Sequence, residues 1–506
     1  MSNSLSASTE GLAQVDRSRQ RLGWTKTSTA RWWQDAHTSR ATLRRFWQGE
    51  RIQREIFIAI CQAVGISNWE SIADNSNLES DSISEVSISH IDWSEAPDIE
   101  SFYGRDRELA QLEQWITKER CKLVTIVGIG GIGKTALILA LADRIQGEFE
   151  YVIWRSLHYY PSVISLLDSI LSKFDQPVEE DINKGAVQLI NQLQKHRCLL
   201  ILDSLETVLD KTEETNQYAQ LIQRLISSRH QSSILIASRE KPKWIETDVK
   251  AVGYLNLQGL RKPEALELLK SKGFTGKELG LSPLIEMYRG NPLALKLVIP
   301  LIESLFGKNV AAFLNQNTLV IGDRLQAILK QQLEQISDSE RDILYWLAIW
   351  QEPISFGRLQ SHLLISVDPA TVLEGIAALE RRSLLEKWIT VDEVSFTLQP
   401  IVMKMVTDRL VESAIQEIDR VVQSNDIRHF QILRTHWLLR PGTDDIAGDR
   451  ILQQLREKLW CRYNAILPQT LEQILLLLKD KTPLAIGYIG CNLMAILKQI
   501  KPETMK

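Results

Sequence analysis

The stretch Gly128-Ile129-Gly130-Gly131-Ile132-Gly133-Lys134-Thr135 constrains this chain more than any other. It follows the apolar run Leu123-Val124-Thr125-Ile126-Val127 and precedes Ala136-Leu137-Ile138-Leu139-Ala140-Leu141. An apolar run rich in β-branched residues that ends in glycines and passes into a helical pattern is a strand, a tight loop and a helix N-terminus. Backbone N–H groups in such a loop can point inward at one spot, and the positive end of the helix dipole adds to them. This is the layout of a phosphate-binding loop. Lys134 supplies a point charge for the β- and γ-phosphates, and the Thr135 hydroxyl is placed to ligate Mg2+. Gly128, Gly130, Gly131, Ile132, Gly133, Lys134, Thr135 and Ala136 are therefore candidate nucleotide-binding residues. A glycine-rich turn that fits the pattern by accident is the competing reading, and the strand and helix on either side count against it.

With 506 residues the chain is too long for a single core, so several domains are expected. Its hydrophobic fraction of 44% and charged fraction of 24% are ordinary for a globular protein. A net charge of −4 offers no overall attraction to nucleic acid, so any such affinity must be local. Cys61, Cys121, Cys198, Cys461 and Cys491 are far apart, with no CxxC pair. That pattern suits buried thiols in a reducing compartment better than a disulfide framework or zinc site. The N-terminus lacks the basic and apolar segments of a signal peptide, and the apolar stretch Pro483 to Leu497 is too short to span a bilayer. The expectation is a cytoplasmic protein with no membrane partner. No internal repeat is visible at solenoid or propeller periods.

Residues 1–73 read as a helical N-terminal domain. Leu12, Val15 and Leu22 are spaced for one helix face, and Phe57, Ile60, Cys61 and Val64 for another. Between them, Thr29–Ala36 and Arg40–Trp47 flank a short turn at His37-Thr38-Ser39, the layout of a helix-turn-helix whose second helix is basic. The succession resembles the Cro/repressor type and a domain often found ahead of signalling ATPases in cyanobacteria. On a DNA-binding reading, Arg40, Thr42, Arg44 and Arg45 enter a major groove or touch phosphates. On the alternative reading they form a solvated face or a protein-binding surface, and Asp35, Glu50 and Glu55, which interrupt the basic patch, favour it. Residues 74–98 are rich in Ser, Asp, Glu and Asn and read as a flexible linker.

From residue 99 the pattern alternates between strands and helices, as in a parallel sheet with covering helices. Phe102, Tyr103, Gly104 and Arg105 lie one helix before the phosphate loop, where related ATPases take adenine and ribose contacts. Tyr151–Trp154, Cys198–Asp203 and Ser233–Ala237 read as strands, with a further strand near Ala251 to Leu255. Asp203, at the carboxyl end of a continuous hydrophobic strand, is placed to hold the water shell of Mg2+. Arg239, just beyond the neighbouring strand, is placed to sense a γ-phosphate.

The loop, the strand ending at Asp203, Ser238-Arg239, Leu255-Asn256-Leu257-Gln258-Gly259-Leu260 and Gly290-Asn291-Pro292-Leu293-Ala294-Leu295 occur in the order of the NB-ARC module of STAND signal-transducing ATPases. The resemblance covers residues 99 to about 410. It implies an α/β P-loop NTPase core with a parallel sheet over 99–255, a small helical domain over 256–322 and a winged helix over 323–410. All-α regions are expected at the N-terminus and over 411–506. Pro292 would pack beside the base and Arg239 would read the terminal phosphate. Two positions depart from the family pattern. Ser204 stands where a second acidic residue is usual, leaving Glu206 as its substitute. Gln399 stands where the winged helix usually offers a histidine to ADP, and a glutamine brings no charge. The resemblance implies an ATP/ADP-dependent, Mg2+-requiring switch that self-associates on activation, acts through an effector or sensor protein and hydrolyses ATP slowly. The alternative is an ATP-gated DNA-binding transcriptional regulator.

Overall fold

The computed structural model describes residues 4–26, 32–33, 36, 38, 40–50, 52–66, 68–69, 72–73, 90–99, 101–179, 181–209, 212–245, 251–316, 319–363, 368–390, 393–439 and 450–500. The chain divides into two compact units, Met1–Ser87 and Ile88–Lys506.

In the first unit, helices Thr9–Arg21, Arg40–Trp47 and Arg54–Ala63 pack around Val15, Trp32, Leu43, Phe46, Phe57 and Ile60, all buried. Trp32 donates its indole N–H to the Ile60 carbonyl at 3.2 Å, which satisfies the polar atom of a large core ring. The unit is not purely helical, because Ser4–Leu5 pairs antiparallel with Ile52–Gln53. Leu22 is not part of the buried face; it lies beyond the helix end and is 48% exposed. The second helix of the expected helix-turn-helix is present as Arg40–Trp47, whereas most of the first helix, Thr29–Ala36, lies outside the described residues.

The second unit is built on a six-stranded, all-parallel sheet. Its order across the sheet is His90–Asp92, Tyr151–Ser156, Cys198–Asp203, Ser233–Ser238, Leu123–Val127 and Val252–Asn256. Alternation along the strands sends side chains to two separate apolar clusters. Val124, Ile126, Leu199, Ile201 and Leu235 join one, while Leu123, Leu200, Leu202, Ile234 and Ile236 join the other. Both faces are therefore covered, which is why the central strands read as continuous hydrophobic runs. The edge strand His90–Asp92 falls in the segment expected to be a flexible linker. It runs parallel to Tyr151–Ile153, and Asp92 pairs with buried Arg155 at 2.7 Å. Three residues are too few to show a strand period, so backbone pairing and this ion pair fix the element without a sequence signal.

Beyond the sheet, helices Lys262–Ser271, Leu281–Met287, Pro292–Phe306 and Val310–Leu314 form a helical layer. Helices Asp323–Glu334, Asp338–Trp350, Phe356–His362 and Pro369–Arg381 follow. The hairpin Glu386–Ile389/Val394–Thr397 comes next, its second strand pairing with Ile354–Ser355. That order is the one expected of a winged helix. Ser337 opens the Asp338–Trp350 helix through a capping box with Glu340. Val372, Ile376 and Leu379 carry the buried face of Pro369–Arg381, while Leu373 is 53% exposed.

The long helix Pro400–Ser424 leads into helices Arg450–Tyr463, Leu467–Leu477 and Ile489–Ile500. Buried Asn492 accepts from the Leu438 N–H and donates to the Leu433 and His436 carbonyls, tying this helical region together. His436 is a core residue against Trp346 and Tyr345, and burial pushes its imidazole down to about 4. Cys61, Cys121 and Cys198 are buried, but Cys461 and Cys491 lie on the solvent sides of their helices. Among the described residues, no helix is long and apolar enough to cross a membrane.

Candidate functional site

The strand Leu123–Val127 delivers the glycine loop to the carboxyl edge of the sheet, and helix Lys134–Ile145 leaves from it. Gly131 and Gly133 have φ of 78° and 100°, left-handed values that a side chain would strain. Lys134 folds back over the loop and donates to the Gly128 carbonyl at 2.7 Å and the Ile129 carbonyl at 3.3 Å. Crowding by protein pushes its ammonium down to about 8; Glu206 and Asp203 oppose the shift and Arg239 adds to it. Thr135 donates its hydroxyl to Asp203 Oδ2 at 3.1 Å. Burial, and then Glu206, raise the Asp203 carboxyl above its usual range, while the Thr135 hydrogen bond and Lys134 pull the other way. A hydroxyl and a carboxylate converging at the phosphate end are hard oxygen donors and fit a magnesium ion that keeps most of its waters. Among the described residues, no cluster of His, Cys, Asp and Glu forms an all-protein metal cage.

Glu206 and Arg239 hold each other. Glu206, on the short turn Leu205–Val208, pairs through Oε1 with Arg239 Nε at 3.0 Å. Its Oε2 accepts the Arg239 backbone N–H, also at 3.0 Å. Ser204, between Asp203 and this turn, has φ of 65°, so the chain turns sharply where a second acidic residue was expected.

The facing wall comes from later elements. Asn291 caps helix Pro292–Phe306, accepting from the Leu293 and Ala294 N–H groups, and its amide donates to the Gly130 carbonyl at 3.3 Å. The Leu293 N–H donates to the Gly131 carbonyl at 3.3 Å. On the other side, helix Asp323–Glu334 reaches the loop so closely that a Cβ at Gly130 would collide with Ile328 Cγ2. These walls enclose a cavity of about 420 Å3. Phe102, Tyr103, Leu260, Leu268 and Pro292 supply apolar surface to it, and Gly130–Ala136, Asp203, Glu206 and Arg239 line its polar end. An apolar slot running into a loop of N–H donors and a lysine suits a base with a phosphate tail.

Arg105 lines the cavity, but its buried guanidinium donates to the Ile132 carbonyl and pairs with Glu108, both at 3.2 Å, bracing the loop from behind. Burial lowers its proton affinity. Tyr103 lines the cavity and donates its hydroxyl to Ser271 Oγ at 2.6 Å. Gly104 packs against the Glu264 side chain and is not among the lining residues. Gly128 contributes through the carbonyl that receives Lys134.

The structure does not bring Gln399 to this cavity. Gln399 sits at the N-cap position of helix Pro400–Ser424, with no side-chain cap hydrogen bond, and lines a separate hollow with Gln258, Glu386 and Lys387. In the N-terminal unit, Arg44 and Arg45 are exposed and Thr42 is half-buried, and Arg45 pairs with Glu50 at 3.2 Å. The Arg40 side chain lies outside the described residues. Sequence reasoning missed Asp98, Ser101, Lys296 and Arg324 as lining residues. Lys296 had a signal, one helical turn past Pro292, whereas Arg324 had none.

Residues 105–279 match the NB-ARC domain family. The chain is 32% identical to an uncharacterized WD repeat-containing protein of Nostoc sp., over 97% of this chain and 45% of that protein. It is 31% identical to the disease resistance-like protein DSC1 of Arabidopsis thaliana over 38% of this chain and 16% of that one. The chain thus spans less than half the length of these curated relatives. Among solved structures, a STAND protein with a tetratricopeptide repeat sensor from Pyrococcus horikoshii aligns with 81% of this chain and 60% of its own. Its TM-score is 0.30 at 18% identity, too low for any role to be carried across. The comparisons lend no support to the DNA-binding alternative. With the ordered motifs, the parallel sheet and the matched segment together, residues 105–279 form an NB-ARC domain.

Proposed function

We propose that the chain is an ATP/ADP-dependent switch that stores its state in the nucleotide held between the P-loop core, the small helical layer and the winged helix. One observation carries this reading: the cavity is walled by Gly130–Thr135 and Asp203 on one side and by Pro292, Leu293, Lys296 and Arg324 on the other. A nucleotide bridging those walls ties together segments that are distant in sequence. Lys134 would leave its loop carbonyls for the phosphates, and Thr135 and Asp203 would hold Mg2+ with its waters. The ion would supply charge neutralisation at the β- and γ-phosphates.

ADP would keep the walls together. A γ-phosphate would draw Arg239 from Glu206, loosen the closed arrangement and expose surfaces for self-association and for an effector or sensor protein. Moving a population from 1:99 to 99:1 takes about 5.5 kcal/mol of differential binding. Phosphate contacts to Arg239 and Lys134 contribute to that sum, and a partner supplies the remainder. Glu206, once released from Arg239, would orient the attacking water; a slow ATPase follows from its prior engagement. The test is to identify the nucleotide that co-purifies and to measure mass by light scattering with ADP and with a non-hydrolysable ATP analogue. Tightly held ADP and a larger mass with the analogue are expected. Identical masses in both states, with and without cell extract, would remove the basis of the switch.

A further inference from the structure

Resting on the reading that the cavity binds ADP and ATP, we infer that Arg324 is the phosphate contact through which the winged helix segment is tied to the nucleotide. Its helix, Asp323–Glu334, is the element whose Ile328 sits on Gly130. Residues four apart lie one above the other on a helix, so Arg324 stands on the same face, one turn nearer the helix N-terminus. It lines the cavity with the loop residues. Arg239 also approaches Gly130, its Nε lying 4.0 Å from a Cβ built there, and both arginines line the cavity from different elements.

The charges around Arg324 point to an anion. Its side chain is exposed, and among the described residues it pairs with no carboxylate and donates no hydrogen bond to the protein. By contrast Arg105, Arg239 and Arg382, on the surrounding elements, each hold a carboxylate within 3.2 Å. A guanidinium facing a phosphate loop with its donors uncommitted suits bidentate contact with phosphate oxygens. Gln399, the position expected to hold ADP from the winged helix, lies in a different hollow. Arg324 fills that role from another element, with a permanent charge that does not titrate near neutrality. Swinging the winged helix away would withdraw Arg324 together with Ile328, and so strip the nucleotide of its tether in one movement.

The experiment is equilibrium binding of ADP and of adenosine to the full chain, comparing wild type with Arg324→Gln, Arg324→Lys and Lys134→Ala. Arg324→Gln should weaken ADP about tenfold or more and leave adenosine unchanged, while Arg324→Lys recovers part of the loss. Thermal unfolding without nucleotide should match wild type, because the side chain holds nothing in the protein. If ADP binds wild type and Arg324→Gln equally well, or if Arg324→Gln weakens ADP and adenosine alike, the inference is overturned and the nucleotide-binding reading stands. If wild type binds no ADP, or Lys134→Ala binds as well as wild type, it is the nucleotide-binding reading that fails.

Discussion

The two walls of the cavity are built on opposite principles. On the sheet side the polar groups are bonded to one another: Lys134 to Gly128, Thr135 to Asp203, Arg239 to Glu206. On the helical side Lys296 and Arg324 line the same cavity and, among the described residues, pair with no carboxylate. The difference bears on how affinity is divided. A group that must leave an internal partner contributes only the surplus of the new bond over the old, whereas one that comes from water is discounted only for its hydration. On the proposed reading the loop would set where phosphates sit, and the later helices would have more to gain from each contact they make.

The largest effect should come from the sheet side. Lys134→Ala is expected to weaken ADP by about 100-fold or more, measured by calorimetry, because the main positive charge at the loop is lost. A loss smaller than that from Arg324→Gln would mean that the helical wall carries more of the affinity than the loop.

The next test separates the cavity from the seam that holds its walls together. Arg382 pairs with Glu240 at 3.1 Å and with Glu340 at 2.7 Å, each of the three less than 20% exposed. Glu240 is the residue after Arg239, so this cluster fastens the end of strand Ser233–Ser238 to helices Asp338–Trp350 and Pro369–Arg381. Arg382→Ala removes the cation shared by two shielded carboxylates and should cost about 2 kcal/mol of stability, read in urea unfolding. ADP should also dissociate faster than from wild type. Unchanged dissociation would show that the seam plays no part in keeping the walls closed.

Proton linkage gives a smaller, graded effect. The Lys134 ammonium of the free protein has its affinity for protons lowered to about 8. Bound phosphates favour the charged form, so the value rises on binding and a proton is taken up wherever the free lysine is neutral. ADP affinity should be flat below pH 8 and fall by up to about tenfold per unit above it. Buffers of different ionisation enthalpy would detect the proton taken up, and Lys134→Ala should abolish the slope. A flat profile to pH 10 would place the ammonium outside the phosphate contact.

The smallest change should come from Gln399→Ala. Because Gln399 lies with Gln258 and Lys387 in a separate hollow, ADP affinity should stay within about twofold. A tenfold loss would place the winged helix contact at Gln399 instead of Arg324.

What could be read from the residues alone follows from the range of the interactions. The loop, the strand ending in Asp203 and the cap at Ser337 rest on neighbours within a few positions, so their patterns survive in one dimension. The strand Val252–Asn256 fell within a residue of its expected place for the same reason. His90–Asp92 was hidden because its partners lie some sixty positions downstream. Arg324 was hidden because its place depends on the angle at which its helix meets Gly130, which no local periodicity encodes. The Glu206–Arg239 pair falls between these cases: both residues were singled out, but nothing in their spacing said that they hold each other.

That pair gives the site an occupant of its own. The Glu206 carboxylate offers Arg239 two oxygens, one to its guanidinium and one to its backbone N–H, much as a phosphate would. It is a tethered competitor, present at high effective concentration and impossible to dilute. On the proposed reading, the concentration of ATP at which the sensor responds is set partly by how firmly this internal anion resists displacement. Trading Glu206 for Gln would then lower the response threshold while slowing turnover, which separates the sensitivity of the switch from its lifetime in a single residue.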